Sequence, residues 1–191
     1  MGVGTLIIFI AMLLVAAVAA GVLLQTAGSL QQRALVTGSQ TRAEISTNVR
    51  IIEVSALDAS DDSAVNNFTM QLKLAPGSDP IKLSEVTLTF SSFNHTLTLA
   101  YNQTENYTTG YASDIVASTG SFTGEYLING SNHLDGNLQR GDVLRIRFNS
   151  GRAIEEDEQL RINFIPKIGT ATLVEFTTPD VMSTQTVFLY P

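Results

Sequence analysis

Five asparagines stand in the pattern Asn-x-Ser/Thr, whose side-chain amide accepts N-linked glycans on exposed surfaces. They are Asn67, Asn94, Asn102, Asn106 and Asn129. The alternative is that a chain rich in Ser and Thr matches the pattern by accident. The stretch YNQTENYTTGY around Asn102 and Asn106 is the most loop-like, so these two are the first candidates. Asn94 is expected inside a strand, which makes it a poorer acceptor.

Two acidic clusters could bind a cation or act on a substrate. Asp58, Asp61 and Asp62 stand in LDASDDS, and carboxylate oxygens are ligands that Ca²⁺ prefers. Their spacing does not match an EF-hand loop, so we interpret the cluster as a solvated turn and keep a cation site as a weak alternative. The run Glu155–Glu158 offers carboxylates of the kind used in glycoside hydrolysis. Four adjacent carboxylates repel one another, which favours a solvated turn there too.

Other signatures of catalysis are missing from the sequence. His95 and His133 are the only histidines, and neither stands in a metal-ligand spacing. No Gly-x-Ser-x-Gly motif and no phosphate-binding glycine motif occurs. The absence of cysteine excludes disulfides, Cys-zinc sites and thiol chemistry. Arg140-Gly141-Asp142 spells a tripeptide that some adhesins use, but a turn is the simpler interpretation. We therefore predict that the chain is not an enzyme and needs no cofactor.

The first stretch of the chain must be buried by something outside it. From Leu6 to Leu24 every residue is apolar, Ala or Gly, and the first charge is Arg33. This length suffices to cross a bilayer. Helical spacing continues to about residue 50, and a helix that is apolar all round needs partners. We predict a helix whose packing residues are Leu6, Ile7, Phe9, Ile10, Met12, Leu13, Ala16, Ala17, Ala20, Gly21 and Leu24. The small residues among them let helix backbones approach closely.

From residue 49 the apolar period changes from 3.6 to 2, which predicts strands separated by turns. The predicted strands are Val49–Leu57, Phe68–Leu74, Lys82–Phe90, Thr96–Tyr101, Ser121–Ile128, Val143–Phe148, Gln159–Ile165, Ala171–Thr177 and Thr184–Leu189. Short strands at this spacing favour an antiparallel, immunoglobulin-like β-sandwich. The predicted fold class is α+β, with an assembly helix at 1–50 and a β-sandwich at 51–191.

The charge is unevenly distributed along the chain. The net charge of the 191 residues is −7, and residues 1–53 carry +1, so the remainder carries −8. An acidic domain without a stripe of Lys and Arg argues against nucleic acid as a partner. It is consistent with a soluble exterior.

The opening GVGTLIIFIAMLLVAAVAAGVLLQTAGSLQQRA resembles the mature N-terminus of archaeal flagellins (archaellins). The matching segments are Gly2 to Ile7, Phe9 to Ala20 and Thr26 to Gln31. Type IV pilins share the helix-first plan but usually have Glu at the fifth mature position, where this chain has Thr5. The resemblance also implies a processed chain, whose short basic leader a prepilin-like peptidase has removed, so that Met1 lies at or near the mature N-terminus.

The resemblance implies a structural subunit that polymerises through its helix into an extracellular filament for swimming. The implied partners are further copies of the chain, other archaellins, the motor and basal components of the archaellum, and the membrane in passing before assembly. Covalent N-glycans are implied as well, because the family is commonly glycosylated. Two alternatives stay open at this point: a type IV pilin-like adhesion subunit and a membrane-anchored surface binding domain.

Overall fold

A computed structural model describes residues 2–59, 64–103, 120–182 and 184–190. The chain forms two compact units, Met1–Arg42 and Ala43–Pro191. Asn106, Asp61 and Asp62, which the sequence singled out, lie outside the described residues.

The N-terminal element is a single helix, α1, at Gly2–Ser46. Leu and Ala are the most frequent residues of its first half, and both are strong helix formers. Gly28 and Gly38 both lie within the continuous helix, although each glycine disfavours a helix by about 1 kcal/mol relative to Ala. The helix ends before position 50, because Val49 and Ile52 belong to the first strand rather than to the end of the helical pattern.

Within the described residues, eleven strands follow the helix. They are β1 Val49–Ala56, β2 Val65–Leu74, β3 Ile81–Lys82, β4 Val86–Ser92, β5 His95–Tyr101, β6 Ser121–Ile128, β7 Asn137–Leu138, β8 Val143–Ile154, β9 Gln159–Pro166, β10 Thr172–Thr177 and β11 Val187–Tyr190. The stretch predicted as one strand at Lys82–Phe90 is interrupted by a 3-10 turn at Leu83–Glu85. Strand β8 extends past its predicted end at Phe148, because alternating burial continues to Ile154.

Nine of these strands form one sheet in the order β10-β9-β4-β5-β6-β8-β2-β1-β11, and β3 pairs with β7. All neighbours are antiparallel except β5 and β6, which pair in parallel through Ala100–Tyr101 and Ser121–Phe122. The predicted helix followed by a mostly antiparallel β-domain is confirmed. This parallel pair departs from the fully antiparallel expectation.

The sheet folds over so that its two halves face each other. Phe90 in β4 lies 5.2 Å from Phe68 in β2, measured between ring centroids, although the two strands are not neighbours in the sheet. At one end of the fold, the Thr172 hydroxyl of β10 donates to the backbone oxygen of Val49 in β1 at 3.0 Å. The inward residues of both halves form one apolar core, in which Phe68, Phe90 and Phe148 are at most 1% exposed.

Candidate functional site

Helix α1 presents its apolar residues to the outside. Every residue from Gly2 to Arg42 is exposed, and no residue of the helix is buried. Leu6, Phe9 and Leu13 are 54–60% exposed. α1 is also long and apolar enough to cross a membrane. At about 1.5 Å per residue its 45 residues extend roughly 68 Å. Within a single chain, this surface therefore stays uncovered.

The predicted packing residues all lie on α1. Leu6, Leu13 and Ala20 follow a spacing of seven, and Ile10, Ala17 and Leu24 follow the same spacing four residues later. Such spacings place them on one side of a helix. Ile7 and Met12 fall on other sides, consistent with a helix that is apolar all round. The predicted residues thus describe a continuous apolar surface around the helix.

Four hydroxyl groups of α1 are satisfied by the helix itself. Thr5 donates to the backbone oxygen of Gly2 at 2.9 Å, and Thr26 donates to that of Leu23 at 3.0 Å. Ser29 and Ser39 make the same bond to the carbonyl three residues earlier. A buried hydroxyl costs free energy unless it has a partner. Because these hydroxyls carry their own acceptors, α1 can enter an apolar environment without leaving them unsatisfied.

The described sequons occupy different environments. Asn94 lies in the turn between β4 and β5 and Asn129 follows β6, and both are exposed. Asn102 follows β5 and is half-buried, with its backbone N–H donating to Phe122 at 2.9 Å. The expectation that Asn94 lies inside a strand is wrong, because the chain reverses at Phe93-Asn94.

Asn67 is held within strand β2. Its Nδ2 donates to Asp58 Oδ2 at 3.0 Å, and its Oδ1 accepts a bond of 2.9 Å from Asn149 Nδ2. Asp58 also accepts the backbone N–H groups of Asn66 and Asn67. The Asp58 carboxylate therefore braces the connection between β1 and β2 through N–H donors. Within the described ranges, His, Asp and Glu form no group of three that could hold a metal ion.

The acidic turn between β8 and β9 is solvated, as predicted for adjacent carboxylates. Glu155, Glu156 and Asp157 are exposed. Glu158 is different: its side chain is only 12% exposed and pairs with Arg152. Ser92, at the end of β4, donates to the same Glu158 oxygen and accepts from Arg152 at 2.7 Å. This network ties the β4–β5 turn to the β8–β9 turn.

A family model for archaeal-type flagellin matches residues 1–176. The chain belongs to the archaeal-type flagellin family. As such it is a structural subunit of a cell-surface filament for motility, which confirms the predicted family, function and extracellular location.

Three curated relatives align over nearly the whole of this flagellin. Flagellin B4 of Pyrococcus abyssi is 34% identical over 98% of this chain and 96% of its own length. Flagellin B2 of Methanocaldococcus jannaschii is 32% identical over 98% of this chain and 92% of its own length. Flagellin B1 of Methanococcus voltae is 29% identical over 98% and 93%.

Two solved structures share the fold of this flagellin. The archaeal flagellum of Methanospirillum hungatei strain JF1 matches with a TM-score of 0.70 and 18% identity, over 99% of this chain and 98% of that one. The crystal structure of archaeal flagellin FlaB1 from Methanocaldococcus jannaschii matches with a TM-score of 0.66 and 19% identity, over 75% of this chain and 96% of that one. At these identities the likeness concerns the fold.

Sequence reasoning missed a charged cluster in the loop between β6 and β8 of this flagellin. His133 Nε2 lies 3.0 Å from Asp135 Oδ1, and His133 Nδ1 lies 3.4 Å from Asp142 Oδ2. Desolvation lowers the pKa of His133, but the hydrogen bonds to Asp135 and Asp142 outweigh it, so the pKa is raised overall. The Tyr126 ring packs edge-on against His133 at 4.4 Å, and burial, with the nearby Tyr101, Asp142 and Asp135, raises the pKa of Tyr126 to about 12. The only sequence signal was the pairing of a lone His with nearby Asp residues.

The same cluster excludes an adhesive role for the tripeptide Arg140-Gly141-Asp142. Asp142 is 1% exposed, and its carboxylate accepts the backbone N–H groups of Gly130 at 2.7 Å and Gln139 at 3.0 Å. Gly141 has a φ of 87°, which a glycine adopts without strain. The tripeptide is a structural turn, because a buried and fully engaged carboxylate is not available to a receptor.

Proposed function

We propose that this flagellin polymerises by packing α1 against the α1 helices of other copies, with the β-domain outside the resulting bundle. The observation that carries this proposal is the complete exposure of α1 from Gly2 to Arg42. Each Leu or Ile side chain that becomes buried contributes about 1.5–3 kcal/mol. The many apolar side chains of α1 therefore supply enough free energy to hold a polymer together on dilution.

The small residues of α1 set how closely the helices approach. Ala16, Ala17, Ala20 and Gly21 lie together along one stretch. Exchanging lipid for other helices changes the polarity around α1 very little, so close packing must favour the bundle over the membrane. The membrane is accordingly a transient environment for α1 before assembly, rather than its final one. A head-to-tail contact that does not close generates an open helical polymer.

The remaining partners follow from the same mechanical role. A filament that drives swimming is turned at its base, so the motor and basal components of the archaellum are proposed contacts of the assembled polymer. Other archaellins with the same N-terminal pattern are proposed to enter the same bundle. The chain itself transmits force and performs no catalysis.

The test is a pair of substitutions at one position of α1. Ala16→Leu adds bulk where helices approach, whereas Ala16→Ser changes the chemistry and keeps the size. We expect Ala16→Leu to abolish filaments seen by electron microscopy and pelleting, and Ala16→Ser to retain them. Circular dichroism should report the same β-domain in both variants. Normal filaments from Ala16→Leu would contradict close packing, and a detergent-soluble monomer in the wild type would contradict polymerisation.

A further inference from the structure

Two features coincide at the turn between β4 and β5. Phe93 is 93% exposed, more than Phe188 in β11 at 70%, whereas five other phenylalanines of the β-domain are at most 1% exposed, namely Phe68, Phe90, Phe122, Phe148 and Phe164. The residue after Phe93 is Asn94, the first residue of the sequon Asn94-His95-Thr96. An isolated apolar side chain on a surface is ordinary. An almost fully exposed aromatic ring beside a modifiable amide is a more specific arrangement.

The turn is short and firmly anchored. Ser92 and His95 are paired across the antiparallel strands, so the two residues between them form the reversal. The Ser92 hydroxyl is bonded to both Glu158 and Arg152 of the neighbouring turn. Asn94 and Thr96 are exposed. Asn94 and Thr96, the two sequon residues that an oligosaccharide transferase must recognise, are thus exposed on an anchored turn.

Unlike Asn94, Asn67 is poorly placed to accept a glycan. Both ends of its side-chain amide are engaged, by Asp58 and by Asn149, and its backbone lies within β2. To become an acceptor, Nδ2 would have to break its bond to Asp58 and the strand would have to open. The half-buried strand position makes that costly, because buried polar groups would lose their partners.

We propose that Asn94 carries an N-linked glycan whose first sugar packs on the ring of Phe93, so that the turn is one composite sugar site. The apolar C–H face of a pyranose would remove aromatic surface from water. The donor is an oligosaccharide whose anomeric carbon is joined to a lipid-linked phosphate. Nδ2 bonds to that carbon, the carbon–oxygen bond to phosphate breaks and leaves its electron pair on the phosphate, and Nδ2 gives up one proton to a base of the transferase.

The glycan site lies in the β-domain, whereas the proposed polymerisation depends on α1. Each proposal can therefore be contradicted without affecting the other. Peptide mass mapping of the protein from its native host should find added mass on the Asn94 peptide and none on the Asn67 peptide. The Asn94→Gln variant should lose that mass and still pellet as filaments. An unmodified Asn94 peptide or a glycan on Asn67 would overturn the inference, whereas loss of pelleting by wild-type protein would bear only on polymerisation.

A double-mutant comparison tests the role of the ring. Phe93→Ala should lower the unfolding midpoint by about 2–4 °C when Asn94 is present and leave it unchanged in the Asn94→Gln background. The control pair is Ile128→Ala and Asn129→Gln, an exposed sequon preceded by an aliphatic residue that is 57% exposed. We expect no coupling between these two. An equal effect of Phe93→Ala in both Asn94 backgrounds would overturn the inference.

Discussion

The two units of the chain differ in the exposure of their large apolar side chains. In the β-domain Phe148 is 1% exposed and contacts Phe68 and Phe90, with ring centroids 5.7 Å away in each case. In α1 Phe9 is 60% exposed. Burial of apolar surface is the main favourable contribution to folding. The β-domain obtains it within one chain, whereas the exposed residues of α1 would obtain it in the proposed polymer.

The charges follow the same division. Residues 2–32 carry no charge, and ionised side chains are concentrated in the β-domain. Where the domain buries an ionised group, it supplies a partner, as Arg152 does for Glu158. A charged side chain introduced at residues 2–32 would have no such partner inside an apolar bundle, and that burial would be costly. The uncharged segment therefore marks how much of the helix is built for an apolar environment.

One phenylalanine substitution in each unit should have opposite effects on folding and on assembly. Phe148→Ala should destabilise the β-domain by about 3–5 kcal/mol, because it removes a core ring and leaves a cavity. Phe9→Ala should leave the unfolding of the β-domain unchanged and raise the concentration needed for filament formation. Denaturant unfolding measures the first effect and pelleting across protein concentrations measures the second. A large loss of domain stability in Phe9→Ala would show that the two units are not independent.

The ion pairs of the β-domain allow a finer comparison between buried and exposed groups. Glu158→Gln should cost about 1–3 kcal/mol, because it leaves Arg152 without its charged partner at a poorly exposed position. The control is Glu175→Gln, whose side chain is 40% exposed and pairs with Arg161 at 2.7 Å. An exposed pair contributes about 0–1 kcal/mol. Equal unfolding free energies for the two variants would refute the structural role assigned to the Arg152–Glu158 pair.

The smallest effect concerns pH. The pKa of His133 is raised in the folded state, so protonation contributes stability in full below the unfolded pKa of about 6.5. That contribution is lost as the pH rises through the folded pKa. The difference in unfolding midpoint between wild type and His133→Asn should be larger at pH 5.5 than at pH 9. A pH-independent difference would contradict the charge-assisted bonds to Asp135 and Asp142.

Much of the fold follows from local patterns in the sequence. The uninterrupted apolar run predicts α1, and strict alternation such as Val86, Leu88 and Phe90 predicts strand β4. The helix end at Ser46 was harder, because Val49 and Ile52 fit both a helical and an extended period. The parallel pairing of β5 with β6 depends on long-range packing, which no local pattern encodes.

The candidate sites also differ in how far local sequence patterns predict them. The positions of the predicted packing residues on α1 could be derived from the sequence, because helix spacing alone orders them, and their packing between copies stays a prediction. Which sequons have a free side-chain amide could not be derived from the sequence, because this depends on residues far away in the chain, such as Asn149 for Asn67. The turn at Asn94 did leave a signal, since it falls in the gap between the predicted strands Lys82–Phe90 and Thr96–Tyr101. The exposed pair of Phe93 and Asn94 could be recognised only from the exposure of their side chains in the structure.

We propose that α1 is uncovered in one chain and buried in the polymer. The sequence contains no cysteine, so Ala16→Cys introduces a single thiol of nearly the same size into α1. N-ethylmaleimide, which enters apolar phases, should label this thiol in the detergent-solubilised monomer and fail to label it in the filament. A thiol at Glu156→Cys, on the exposed acidic turn, serves as the control and should be labelled in the monomer. Equal labelling of Ala16→Cys in monomer and filament would contradict the claim.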